Sequence, residues 1–436
     1  MSARGLILAA PASGSGKTVL VAGLLRLLAR RGLDVAAAKL GPDYIDPAFH
    51  AAALGRPCLN IDLWAMRPGT AAGLIARLSR ARDLVLVEGA MGLFDGATDG
   101  SGSAADFAAL SGWPVILVVD ARGQAQSAGA LVAGFARHRA DVPLAGVIFN
   151  RIGGSSHESA LRQAIEPLGL PVLGALPRAA ELALPQRHLG LVQAMEHPDL
   201  EGFLSRLADC LEERLPVDPL LELARPARAI PGSSRGGVPP LGGRIAVARD
   251  EAYAFAYPAQ LEAWREAGAE LELFSPLADE APSELCDAVY LPGGYPQLQA
   301  ARLAAGERFV TGLRRAAARG AAIFGECGGY MTLGAGLVDK QGRRHAMAGL
   351  LPVETSFAEP RLHLGYRQVE LLADGPLGRA GARFRGHEFH YAMVLQEGEG
   401  EPLFDCRDAL GQPLGGLGRR RGKIAGSFIH LIDAVS

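Results

Sequence analysis

A glycine-rich segment near the start, Pro11-Ala12-Ser13-Gly14-Ser15-Gly16-Lys17-Thr18, follows an apolar run and precedes a helical stretch. Glycines there let backbone N–H groups turn inward, and a helix N-terminus adds positive potential, so the segment suits a polyphosphate. Ser13, Gly14, Ser15 and Gly16 would wrap the phosphates of ATP, Lys17 would reach the β- and γ-phosphates, and the Thr18 hydroxyl would ligate Mg²⁺. The first glycine of G-x-x-x-x-G-K-[ST] would fall at Pro11, so the strict pattern fails and a plain Gly/Ser turn competes. The complete strand–loop–helix order favours the phosphate loop.

Two acidic segments follow candidate strand ends: Lys39-Leu40-Gly41-Pro42-Asp43-Tyr44-Ile45-Asp46-Pro47, and Glu88-Gly89-Ala90-Met91-Gly92-Leu93-Phe94-Asp95-Gly96. In a doubly wound sheet, ligands bind at the carboxyl ends of the strands, which would gather Asp43, Asp46 and Glu88 near the phosphates. Carboxylates so placed repel one another without a cation, so Mg²⁺ is expected on Thr18, Asp43 and Glu88. Lys39 would neutralise a transferring phosphoryl group. Asp46 precedes Pro47 and is expected to be extended, facing either the metal or an organic substrate. Asp95 reads as a ligand or as a plain Asp-Gly turn. Asn150, just past another strand, reads either as a partner for a purine edge or as a turn residue.

A second chemical centre lies far along the chain. Ala321-Ala322-Ile323-Phe324-Gly325-Glu326-Cys327-Gly328-Gly329-Tyr330 reads as strand, sharp turn and helix, with Cys327 at the turn as nucleophile. The helix N-terminus is expected to lower the thiol pKa. Backbone N–H groups of Gly294, in Leu291-Pro292-Gly293-Gly294-Tyr295-Pro296, and of Gly328 would receive an oxyanion. The base would be His430, with His387 and His390 as rivals. Cys58, Cys210, Cys286 and Cys406 read as structural thiols.

These residues need a scaffold of alternating strands and helices. Apolar runs at Gly5–Ala10, Asp34–Leu40, Leu84–Val87, Val115–Val119, Leu144–Phe149 and Val172–Leu176 alternate with helical stretches such as Thr18–Arg31 and Gly123–Arg139. That alternation predicts an α/β fold with a doubly wound parallel sheet. The Pro/Gly/Ser-rich stretch 226–243 reads as an exposed linker between a first domain, 1–225, and a second, 244–436. The second domain repeats the pattern, with strands at Arg244–Arg249, Ala269–Phe274, Ala288–Leu291 and Ala321–Phe324 and helices at Tyr257–Ala267 and Pro296–Arg319. A net charge of −2 leaves no footprint for nucleic acid or an anionic membrane. Five scattered cysteines with no CxxC pair argue against disulfides and zinc, and for a reducing cytoplasm. Met1–Ala12 lacks a basic region followed by a long apolar one, so it reads as a first buried strand and not as a signal peptide. No apolar run reaches the roughly 20 residues of a membrane helix.

Taken together, the quoted segments resemble a known family. Pro292-Gly293-Gly294, Gly325-Glu326-Cys327-Gly328-Gly329 and His430 are similar to a class I glutamine amidotransferase domain, of flavodoxin-like fold. The first half resembles the dethiobiotin synthetase-like P-loop fold, whose variant loop carries a glycine where this chain has Ala10. The order of the domains, with the 39–47 and 88–96 segments, resembles the cobyrinic acid a,c-diamide synthase family over nearly the whole chain. The resemblance implies that L-glutamine supplies ammonia through Cys327, and that ATP with Mg²⁺ phosphorylates peripheral carboxylates of cobyrinic or hydrogenobyrinic acid, in cobalamin biosynthesis. Class I domains commonly place a Glu two residues after the histidine; here Ile432 stands there and Asp433 is one residue late, so the resemblance implies a Cys327–His430 dyad. Arg361, Arg367, Arg383 and Arg385 would either bind the polycarboxylate or be solvated surface charge. Another tetrapyrrole, such as nickel sirohydrochlorin, or a P-loop switch that needs no thiol, are the alternatives, and a homodimer is the expected assembly.

Overall fold

The computed structural model describes residues 3–178, 184, 186–187, 190–230 and 236–435. The chain divides into two compact units, Met1–Trp64 with Pro68–Ser234, and Ala65–Arg67 with Arg235–Ser436.

The first unit is built on seven parallel strands: β1 (Arg4–Ala9), β2 (Val35–Leu40), β3 (Leu59–Ile61), β4 (Leu84–Glu88), β5 (Val115–Asp120), β6 (Leu144–Ile152) and β7 (Val172–Pro177). They lie in the order β3-β2-β4-β1-β5-β6-β7. Runs such as Val-Ile-Leu-Val-Val in β5 are apolar at consecutive positions because helices cover both faces of the sheet. Helix α1 (Lys17–Arg30) follows β1 directly, and α2 (Ile45–Leu54) follows β2. Chain order reverses beside β1, with β2 beyond β4 on one side and β5 on the other, so the loops after β1, β2, β4 and β6 open into one crevice.

Asp46 departs from its expected extended state. It lies in the first turn of α2, where Pro47 is tolerated because its missing N–H has no partner to lose. The helix expected from Gly123 begins at Ser127, since Gly123 is left-handed at φ 68°.

The second unit combines two patterns in one ten-stranded sheet. Glu270–Phe274, Arg244–Ala248, Ala288–Leu291, Ala322–Glu326 and Ile424–Ser427 are parallel neighbours. Pro413–Arg421, Glu401–Asp408, His363–Leu371, Arg383–His390 and Ile429–Ala434 extend the sheet antiparallel. The flavodoxin-like reading describes the parallel half; the antiparallel half was missed. Its strands alternate polar with apolar residues, and sequences such as Arg383-Phe384-Arg385-Gly386-His387-Glu388-Phe389-His390 carry too many charges to read as buried runs. The helix expected over Pro296–Arg319 breaks into a 3₁₀ turn, Pro296–Leu298, and two helices, Ala300–Ala305 and Glu307–Ala318, interrupted at Gly306.

Where the structure describes it, the stretch 226–243 mixes exposed residues, such as Pro226, Arg228 and Pro239, with anchored ones. Arg225–Pro226 pairs antiparallel with the start of β1. Val238 and Leu241 are buried in the second unit's core, where Gln260 and Trp264 hydrogen-bond the Val238 backbone. Residues 231–235 lie outside the described residues.

Candidate active sites

The first site is a cleft of about 520 Å³ in the first unit, lined among others by Ser13, Gly14, Ser15, Gly16, Lys17, Thr18, Lys39, Asp43, Asp46, Glu88 and Asn150. Apart from Asp95, the residues expected at the nucleotide site therefore face one space. The loop reaches it because Gly14 and Gly16 are left-handed, at φ 78° and 86°, which most side chains resist. A Cβ on Gly16 would also sit 2.3 Å from Asn150 Nδ2. Asn150 lines the cleft, but its Nδ2 donates to Ser15 O (2.9 Å) and its Oδ1 accepts from Arg151 N (2.9 Å). Its amide thus braces the phosphate loop. Arg151 adds a second brace, donating to Gly14 O (2.7 Å) and to Asp120 Oδ2 (2.6 Å).

The charged centre is compact. Lys39 Nζ lies 2.6 Å from Asp46 Oδ2 and 2.8 Å from Glu88 Oε1, and Thr18 Oγ1 donates toward the same two oxygens at 3.0 and 3.1 Å. Lys17 Nζ donates to Met91 O (2.6 Å), a carbonyl presented by a residue held at φ 45°. Burial alone would raise Glu88, but Lys39 and His50 outweigh it and hold the carboxylate well below its ordinary range. Lys39 is likewise held charged by Glu88, Asp46 and Asp43 against burial. Burial lowers Lys17.

The three carboxylates are not equivalent in position. Asp43 Oδ1 accepts from the backbone N–H groups of Ile45 (2.8 Å) and Asp46 (3.2 Å), so Asp43 caps the start of α2. Its other oxygen is 3.8 Å from Lys39 Nζ. Asp46, and not Asp43, stands with Glu88 beside the Thr18 hydroxyl. Burial and the neighbouring Asp46 raise Asp43. Asp95 accepts from Gly92 N (2.9 Å) and is the turn residue of its two readings. His50 was missed: fully buried, its Nε2 contacts Glu88 Oε2, the oxygen that Lys39 and Thr18 leave. Its spacing four residues after Asp46 on one helix face was the available signal.

The second site is in the second unit. Cys327 ends the strand Ala322–Glu326 at φ 47°, a conformation that costs a non-glycine residue on the order of 1–3 kcal/mol and marks an imposed turn. Its expected low pKa is not found. Burial pushes the thiol up to about 12, against one opposing backbone N–H from Gly328. The short helix Gly328–Leu333 does not outweigh desolvation.

The glycines expected at the oxyanion site crowd the same place. A Cβ on Gly328 would lie 3.0 Å from Gly294 N, and one on Gly293 would lie 2.3 Å from His430 Cε1. The three candidate histidines come together. His430 and His387 stack at 4.9 Å, and His387 Nε2 meets Tyr257 OH at 3.1 Å. His390 stacks on Phe428 and bonds Glu388 Oε1 (2.8 Å). Burial lowers His430 well below its ordinary value, with His387 and His390 adding to the effect, so it rests neutral. Among these three, His430 is the ring against Gly293.

His363, Glu388 and His390 bring three ligand atoms within 4.8 Å of one another. Arg367 already forks onto Glu388 Oε2, at 2.8 and 2.7 Å, so this cluster reads as an ion-paired wall. The four arginines read either as binding the polycarboxylate or as solvated charge do not share one face. Register puts Arg383 and Arg385 opposite Glu370 and Gln368, while Arg367 faces Gly386 on the other side of the sheet. Arg383 pairs with Glu370 at the surface, and Arg361 is exposed just before these strands.

Fold and sites together define a P-loop nucleotide-binding unit joined in one chain to a glutamine amidotransferase unit. Residues 6–192 match the family model described as the CobQ/CobB/MinD/ParA nucleotide binding domain, and residues 244–434 match that of the CobB/CobQ-like glutamine amidotransferase domain. The chain is 54% identical over 432 residues to a hydrogenobyrinate a,c-diamide synthase of Brucella anthropi, covering 99% of this chain and 98% of that one. It is 54% identical over 434 residues to one of Rhodobacter capsulatus, covering 98% of each, and 52% identical to one of Rhizobium meliloti, covering 98% of this chain and 99% of the other. This chain belongs to the hydrogenobyrinate a,c-diamide synthase family.

Proposed function

We propose that this protein uses ATP and L-glutamine to convert the a and c acetate carboxylates of hydrogenobyrinic or cobyrinic acid into carboxamides, in the cytoplasm. The observation that carries the reading is one chain holding both a lysine–carboxylate phosphate cleft and a strained, buried thiol whose preceding residue, Glu326, lies at the edge of a neutral histidine. Near-complete coverage of relatives with that activity supports it. A nucleotide switch has no use for such a thiol.

In the second unit, Cys327 rests protonated, so a base is needed. His430 takes the thiol proton as sulfur attacks the glutamine side-chain carbonyl, and the Gly294 and Gly328 N–H groups receive the oxyanion. The C–N bond then breaks, His430 returns the proton to the departing ammonia, and water hydrolyses the thioester to glutamate.

In the first unit, a carboxylate oxygen of the corrin attacks the γ-phosphorus and ADP leaves. A carboxylate is a poor electrophile, and the acyl phosphate supplies a leaving group that ammonia displaces. Lys17 and Lys39 neutralise charge on the transferring group. Thr18, Asp46 and Glu88 present hard oxygens that suit Mg²⁺, which when bound would neutralise the phosphates and orient them. Lys39 holds the two carboxylates together, and Asp43 fixes the helix that carries Asp46. Among the described residues no helix is long and apolar enough to cross a membrane, and none of the five cysteines forms a disulfide, as a reducing compartment allows.

The test is mass spectrometry of products formed with ATP and glutamine from hydrogenobyrinic acid, cobyrinic acid and sirohydrochlorin with and without nickel. Two carboxylate-to-carboxamide exchanges in a corrin acid are expected. Amidation of the sirohydrochlorins alone would overturn the substrate assignment.

A further inference from the structure

A histidine base that becomes an imidazolium needs a partner for its second ring nitrogen, and Ile432 cannot be that partner. Asp433, the nearest acid in sequence, is already engaged. Its Oδ1 accepts from Arg67 (2.8 Å) and from Gly237 N (2.7 Å), and its Oδ2 accepts from Arg67 N (2.9 Å) and Nε (3.2 Å).

Glu326 is placed differently. It precedes Cys327 and is only 4% exposed. Its Oε1 accepts from the backbone N–H of Leu431 (3.0 Å), the residue after His430. Its Oε2 accepts from Tyr290 OH (2.7 Å) and lies 3.8 Å from His430 Nδ1. The one carboxylate therefore ties the strand bearing the base to the strand that ends at the nucleophile. His387 stacks on one face of the ring, and Gly293 stands against its Cε1 edge. His430 is thus fixed from three sides, with its Nδ1 edge toward an acid.

We infer that Glu326 is the positioning acid of the thiol site: it orients His430 through Leu431 and receives the Nδ1–H when His430 takes the proton of Cys327. The proton exchanged with sulfur is then carried on Nε2. The 3.8 Å gap is longer than a hydrogen bond, as such contacts often are before substrate binds, and it closes as the imidazolium forms. The acid absent at 432 is supplied by Glu326, 104 positions before His430, from a strand that is not paired with the one bearing His430.

The ionisable groups around Glu326 are Tyr290, His430, the adjoining Cys327, and Tyr257, which lines the same small cavity. Burial raises Glu326 to about 7, with Tyr290 and Leu431 pulling the other way. Glu326 acts as an anion, so the glutaminase rate should fall as pH drops through about 7, a range in which His430, lowered by burial, does not titrate.

The inference rests on the glutaminase reading above, and one experiment separates the two. Full-length wild type and Glu326→Gln are assayed for glutamine hydrolysis across pH, with thermal unfolding followed by circular dichroism as the folding control. A wild type that hydrolyses no glutamine refutes the glutaminase reading itself. With an active wild type, Glu326→Gln should lose on the order of 10²-fold in kcat, keep its KM for glutamine, and lose the limb near pH 7; Glu326→Asp should recover part of the rate. Wild-type kcat and an unchanged limb in Glu326→Gln would overturn the assignment. If Glu326→Gln does not fold, Tyr290→Phe decides. Losing that donor should move the limb to higher pH, and an unmoved limb overturns the assignment.

Discussion

Gly293→Ala offers a sharp test of the thiol site, because the structure sets its size. A Cβ built on Gly293 lies 2.3 Å from His430 Cε1 and 3.2 Å from Nε2. Ordinary contact starts near 3.4 Å, so one of the two groups must move by roughly 1 Å. The glycine cannot easily retreat. Its carbonyl accepts from Phe255 N (3.0 Å), and Gly329 N donates to the adjacent Pro292 O (3.1 Å). His430, 1% exposed, has His387 stacked behind it at 4.9 Å and Glu326 at its edge. The ring therefore shifts within its pocket, and a displacement of about 1 Å at a catalytic group costs on the order of 10²-fold. Steady-state glutaminase kinetics of Gly293→Ala should show that loss in kcat, while ammonium-driven synthesis stays near wild type. A glutaminase kcat within about threefold of wild type, with the variant folded, would refute the claim that His430 is the base and that Gly293 is small to admit it.

Other outcomes follow from the same geometry. Cys327→Ala should abolish glutamine-dependent amidation and leave amidation driven by ammonium salts; equal loss of both would refute the division of labour. Lys17→Ala should cost synthesis on the order of 10³-fold while glutaminase survives, and unchanged synthesis would refute the phosphate loop. In Mg²⁺ titrations, Asp46→Asn and Glu88→Gln should lower turnover and raise the metal requirement, whereas Asp43→Asn, which loosens a helix cap, should lower thermal stability with a smaller change in Mg²⁺ dependence; the reverse order would return Asp43 to the metal. Glu88 is depressed in the fold, so the stability it contributes is full above its ordinary value of 4.5 and is lost as pH falls below that. Acid unfolding of Glu88→Gln should accordingly be shallower than wild type below that value, and an identical acid limb would refute the Lys39–Glu88 coupling.

Much of this protein was legible in its sequence because the signals are local. Apolar runs of strand length marked β1, β2 and β4–β7 to within a few residues, since a parallel strand buried on both faces must be apolar throughout. The Gly-Lys-Thr turn, the 39–47 and 88–96 segments and the Gly-Glu-Cys-Gly-Gly elbow each contain within a few residues the backbone geometry and side chain their chemistry needs. What only the tertiary structure decided is pairwise and distant. Asp46 displaced Asp43 beside Thr18 because α2 begins at Ile45 and turns Asp43 into its cap. His50 took the second oxygen of Glu88, and Glu326 came to face His430. The thiol's pKa rose because burial, a property of the whole fold, outweighs a six-residue helix. Strand parity placed Arg367 on the other face from Arg383 and Arg385. Side-chain type and spacing name the chemistry available along a chain; which oxygen meets which proton depends on contacts between residues tens to hundreds of positions apart, and those exist only once the sheets have closed.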